Sequence, residues 1–148
     1  MRTKTKGILT VWSTFGALWL AVVLPFTISC ASTTHAKLPI GTVDVPPLGR
    51  QALLKGTASF VGWAFGDSGI SDVSIYVDRV YVVSAQCGLA RPDVAAVFPG
   101  EPDAKAAGWQ ASLDGSKLPA GTHELIVQAT AKNGARRDIG VYQIVVVK

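Results

Sequence analysis

Cys87, Arg91 and Asp93 fall close together at the start of CGLARPDVAAVFPGEPDAKAAGW, the segment from Cys87 to Trp109. A thiol beside a guanidinium could be a nucleophile, because a nearby cation lowers the thiol pKa and the thiolate is the attacking species. That chemistry requires the fold to carry Arg91 back onto Cys87. Neither histidine is at hand, since His35 lies far upstream and His123 opens a distant strand. A small, partly buried cysteine ending a strand needs no chemistry, and this is the reading the sequence favours. The alternative is an intermolecular disulfide in an oxidising compartment.

The other reactive residue types are scattered. His123 and Glu124 are adjacent, so on a strand they point to opposite faces and cannot hold one ion together. Two histidines and at most one free cysteine do not make a His/Cys zinc cage. Asp67, Asp72, Asp114 and Asp138 stand at strand ends, where calcium-binding sandwiches place ligands. Each also has the simpler task of bonding backbone N–H groups in a turn. Ser68 or Ser112 could be paired with His123 on paper, but no nucleophile elbow or glycine-rich oxyanion segment accompanies either. The expectation is a protein without catalytic residues, metal or other cofactor.

Aromatic residues offer a different chemistry, because their faces stack on sugar rings. Trp63, in GWAF, reads as core, whereas Tyr76 occupies the outward side of its strand. Tyr81 follows a turn that leaves its register open.

The N-terminus says where this chemistry would take place. Arg2, Lys4 and Lys6 precede 22 uncharged residues from Ile8 to Ser29, the pattern of an export segment. TISC, ending at Cys30, resembles the lipobox of bacterial lipoproteins, which implies cleavage before Cys30 and lipid attachment to it. Thr27 stands where that motif usually has Leu, Val or Ile. Ordinary cleavage would release a soluble product, and an uncleaved segment would be long enough to span a bilayer. All three outcomes place the remainder outside the cytoplasm. Residues 1–29 are thus expected as signal peptide or anchor, 30–39 as a tether, and 40–148 as one domain. Beyond Ser29, eleven basic residues face ten acidic ones. No basic stripe remains to neutralise phosphates, so nucleic acid is not an expected partner.

The domain itself reads with a period of two. Val73, Ile75 and Val77 alternate with Asp72, Ser74 and Tyr76; Leu125, Val127 and Ala129 alternate with Glu124, Ile126 and Gln128. Tyr142, Ile144 and Val146 share a face of the last strand. TASFVGWAF, VYVVSA and WQASLD are further strands, and the segment around TVDV is an edge strand broken at Pro46-Pro47. About seven short strands with turn residues between them predict an all-β, immunoglobulin-like sandwich. Its core would gather around Trp63, Phe65, Ile75, Trp109, Leu125 and Ile144. Between Cys87 and Trp109, Pro92 suits a first helical position and Asp93 the first turn. Val94 and Phe98 would face the sandwich, Pro99-Gly100 would end the helix, and Pro102 would keep the rest irregular.

GWAFGDSGISDVSIYVD, GLARPDVAAVFPG and LPAGTHELIVQATAKNG resemble a bacterial Ig-like domain of exported proteins, also found appended to enzymes of surface polysaccharide metabolism. The resemblance covers about Gly56 to Val147 and implies a sandwich with an accessory or adhesive role. It transfers no catalytic residue. Arg79 stands where such domains usually have Gly, which argues against a primed turn there, and Cys87 where an aromatic is common. The expected protein is a non-catalytic, lipid-anchored binding or adhesion module of the bacterial cell envelope. Its partner would be an envelope protein or a surface glycan, and the candidate surface is Arg91, Glu101 and Asp103 together with Tyr76. A structural spacer without a ligand, or a secreted carbohydrate-binding module, is the alternative.

Overall fold

The computed structural model describes residues 37–46 and 52–148. The stretch 1–29 expected as signal or anchor, Cys30, and most of the expected tether, including His35, lie outside the described residues. Among those described, no helix is long and apolar enough to cross a membrane.

Two sheets face each other. The four-stranded sheet has the order β1 (Ile40–Val45), β3 (Thr57–Phe65), β7 (Gly108–Asp114), β6 (Gln86–Leu89). The five-stranded sheet runs β2 (Ala52–Leu54), β9 (Arg136–Val146), β8 (Gly121–Ala131), β4 (Ile70–Val77), β5 (Val80–Ser84). All pairings are antiparallel except β2 with β9. This is an immunoglobulin-like β-sandwich. Nine strands among the described residues exceed the expected seven because β2 and β6 are only three and four residues long, too short to show a period. Cys87 therefore lies within a strand rather than at the end of one.

The alternation in the sequence becomes the core. Val73, Ile75, Leu125, Val127, Ile144 and Trp109 are fully buried between the sheets. Two residues expected there are elsewhere. On β3 the inward positions are Phe60, Gly62 and Ala64, while Phe65 belongs to a second cluster with Val94, Ala104 and Ala107, and Trp63 packs against that cluster. Apolar residues at consecutive β3 positions mean that this strand is covered on both sides, with the β6–β7 crossover as the second cover. In that crossover α1 (Pro92–Val97) begins at Pro92, buries Val94 and sets Phe98 5.0 Å from Phe65, ring to ring. The stretch after Pro102 is not irregular but a 3-10 helix, Pro102–Ala106, with Ala104 buried.

The β4–β5 hairpin also departs from expectation. Asp78 and Arg79 both have positive φ, 50° and 66°, the mark of a two-residue primed turn, formed here without glycine. Aspartate tolerates this region, whereas arginine there costs roughly 1 kcal/mol relative to glycine. Asp78 is held from β8: its backbone N–H donates to the Glu124 carbonyl at 2.8 Å, and its carboxylate accepts the Glu124 N–H at 3.0 Å.

Candidate functional site

The crossover assembles a charged cluster in which the arginine is largely covered and its two aspartates remain exposed. Arg91 donates to both Asp93 oxygens at 2.8 and 2.6 Å and to Asp44 of β1 at 2.7 Å. Its side chain is 19 % exposed. Asp93 holds the guanidinium charged beyond its usual range, and Arg91 in turn draws the Asp93 carboxyl down to about 2. Glu101 lies 3.9 Å from Lys37, which donates to Asp67 at 2.8 Å. Asp103 borders, with Lys132, a cleft of about 150 Å³ between the sheets. The structure thus leaves Arg91 committed within the fold, sets Glu101 near Lys37, leaves Asp103 on the rim of the cleft without an ion pair among the described residues, and places Tyr76 on the other sheet.

Cys87 lines the same cleft with Val73 and Trp109. Cys87 is exposed rather than partly buried. Desolvation of the sulfur beside the cleft pushes its thiol pKa up, a backbone hydrogen bond at Val73 opposes this, and the nearby Asp72 carboxylate raises it further. A thiol in that state is a poor nucleophile.

His123 is occupied on both sides of its ring. Nδ1 lies 2.6 Å from Asp78 and Nε2 3.0 Å from the Pro119 carbonyl, and the side chain is 11 % exposed. Both partners accept, so the imidazolium satisfies both. Asp78 first, then Pro119, raises the His123 pKa, while His123 and the Glu124 N–H lower that of Asp78. Stability from a raised histidine is complete below its unfolded pKa near 6.5 and is lost as pH rises through the higher folded value. That from Asp78 is present above 3.8 and lost as pH falls through its lower folded value. The pair should therefore contribute most between about pH 4 and 6.5. Melting temperatures of the full-length chain should fall from pH 6 to pH 8.5 more steeply than those of His123→Gln. Parallel curves for the two proteins would refute the coupling.

The strand-end acids are dispersed. Asp67 takes Lys37, Asp72 accepts from the Ser74 hydroxyl, Asp114 caps a turn through Ser116 N–H at 3.0 Å, and Asp138 accepts from Gln128 at 2.8 Å. Among the described residues no three His, Cys, Asp or Glu side chains converge. Ser68 accepts from the Asn133 N–H at 3.3 Å, and Ser112 sits on β7, in the sheet opposite His123.

The outer face of the five-stranded sheet carries the feature with binding geometry. Register places Tyr81 of β5 opposite Tyr76 of β4, Tyr76 opposite Ile126 of β8, and Ile126 opposite Val141 of β9. These four side chains make one row across four strands, with Tyr81 55 % and Val141 53 % exposed. The two tyrosine rings meet edge to face, 6.0 Å between centroids. Beside the row runs an open groove of about 340 Å³ lined by Tyr76, Arg79, Ile126, Gln128, Arg136 and Asp138. Of these, sequence reading found Tyr76 and Tyr81. Arg79 enters by the direction of the β4–β5 turn, and the others depend on the β4–β8–β9 register, which no local pattern reports.

No protein-family model and no curated protein matches the chain. Among solved structures it is similar to the fibronectin(III)-like modules of CbhA from Clostridium thermocellum: 19 % identity, TM-score 0.48, covering 74 % of this chain and 46 % of that one. It is also similar to the endo-β-1,4-mannanase from Thermotoga petrophila: 14 % identity, TM-score 0.48, covering 76 % and 20 %. The chain spans less than half the length of these solved chains. Likeness at this distance carries no ligand or activity across to it.

Proposed function

We propose that this chain is a non-catalytic, exported module that binds a surface saccharide on the outer face of its five-stranded sheet. The observation that carries the reading is the Tyr81–Tyr76–Ile126–Val141 row beside a groove with the Gln128–Asp138 pair. Exposed tyrosines supply flat apolar faces for a pyranose ring, and the amide and carboxylate supply partners for its hydroxyls. The groove volume is at the lower end of small-ligand sites, which run from about 300 Å³ upward.

Strand addition by a protein partner is less well supported. The pairing of β1 is broken by a bulge between Val43 and Val45, that of β5 between Tyr81 and Val83, and that of β6 between Cys87 and Leu89. β2 is three residues long. Interrupted and short edges are poor templates for another strand. The cationic, then apolar, N-terminus supports delivery of the module to the outer side of a membrane, where Cys30 would anchor it.

Intact cells expressing the full-length chain should capture fluorescent polysaccharides from a panel of neutral and acidic types. Tyr81→Ala should reduce the affinity for the captured type about tenfold, a loss of about 1.4 kcal/mol. Capture unaltered by Tyr81→Ala would remove the aromatic row from the site. Capture by lysates but not by intact cells would overturn the external location.

A further inference from the structure

The groove holds two arginines. Arg79 and Arg136 are both exposed, and neither forms an ion pair among the described residues. One acid, Asp138, lines the groove with the two arginines, so the lining carries two positive charges against one negative, and the other acids of this face lie outside it. Asp138 accepts from Gln128, Asp72 accepts from Ser74, and Glu124 sits one alternate position beyond Ile126. The groove therefore keeps a net positive charge, which favours an anionic ligand.

Arg79 carries a second, independent sign. It occupies a left-handed turn position, φ 66°, where glycine would serve the hairpin better, and its side chain lines the groove. A residue kept in a strained conformation is often kept for what its side chain does. Arginine suits a planar anion because its fork donates two parallel hydrogen bonds to a carboxylate.

We infer that the saccharide bound here is acidic, carrying a ring carboxylate that Arg79 and Arg136 recognise. This rests on the saccharide reading given above. The sugar ring would lie along Tyr76 and Ile126, with its hydroxyls toward Gln128 and Asp138 and its carboxylate toward the two arginines. Every lining group then has a counterpart in one ligand class.

The test uses polygalacturonate, alginate and hyaluronate, each beside its carboxyl-reduced form, titrated against the full-length chain at low and high salt. At least one acidic polymer should bind tenfold or more tightly than its reduced form and weaken with salt. Arg136→Gln and Arg79→Gly should each remove most of that preference, bringing the affinities for the acidic and the reduced polymer to within about threefold of each other. Because Arg79→Gly relieves the hairpin, its loss of binding cannot be ascribed to unfolding. Equal binding of acidic and reduced polymers would overturn the carboxylate inference and leave the saccharide reading standing. Binding of neither form would overturn both. Poly-glutamate binding as tightly as the best saccharide would make the ligand an acidic peptide instead.

Discussion

Gly62→Ala should destabilise the sandwich by about 3 kcal/mol or more. A Cβ on Gly62 would lie 2.2 Å from the Thr42 carbonyl oxygen and 2.6 Å from Cζ2 of Trp109. The first obstacle is backbone of the neighbouring strand and the second a fully buried indole, so neither can step aside as an exposed side chain would. Overpacking a core typically costs about 1–3 kcal/mol, and a clash with backbone belongs at or above the top of that range. For a domain of this size that is a fall in melting temperature of roughly 12–20 °C. Gly100→Ala is the matched control, because a Cβ there meets nothing within 4 Å and its φ is not in the left-handed region. It should stay within about 0.5 kcal/mol of the parent chain. Similar melting temperatures for the two variants would mean that β1 and β3 separate more easily than the packing implies.

Gly62 also marks where sequence reading succeeded and where it could not. Trp109 was legible as core, and the strands with clean alternation, β4 and β8, were legible in both position and facing. What the sequence did not disclose was that the Trp109 ring fits only because its cross-strand neighbour has no side chain. That is a pairing between residues 47 positions apart. Trp63 and Phe65 were misplaced for a related reason. Large aromatics are the natural choice for a core, yet on β3 the inward set is Phe60, Gly62 and Ala64. The uninterrupted apolar run SFVGWAF was the available signal that both faces are covered. The aromatic row was half visible, through Tyr76 and Tyr81, but of the groove's lining only Tyr76 was. Arg136, Gln128 and Asp138 enter it by register across β8 and β9, and Arg79 by the direction of a turn that sequence rules argued against.

Arg91→Ala should be the second large effect, and it decides what the crossover is for. Read as sequence, Arg91 belongs to a charged surface with Glu101 and Asp103. In the fold its guanidinium ties α1, through Asp93, to β1, through Asp44. Its backbone N–H donates to the Lys105 carbonyl at 2.8 Å, joining both helical pieces of the crossover. Its alkyl stem passes over Gly108, where a Cβ would come within 3.0 Å of Cγ. Charged hydrogen bonds contribute about 1.5–3 kcal/mol when shielded from water, and the exposure of both aspartates reduces that. With the lost stem packing included, Arg91→Ala should cost about 1–2 kcal/mol. Urea midpoints measure this directly, and amide exchange should accelerate first in α1 and the 3-10 helix, while β8 and β9 remain protected. Arg91→Lys should recover only part of the loss, since a single ammonium cannot reproduce the two-oxygen contact with Asp93. A double-mutant cycle with Asp44→Asn should give a coupling above about 0.5 kcal/mol. Stability unchanged in Arg91→Ala, with saccharide capture lost, would return the crossover to the list of binding surfaces and take the sheet face off it.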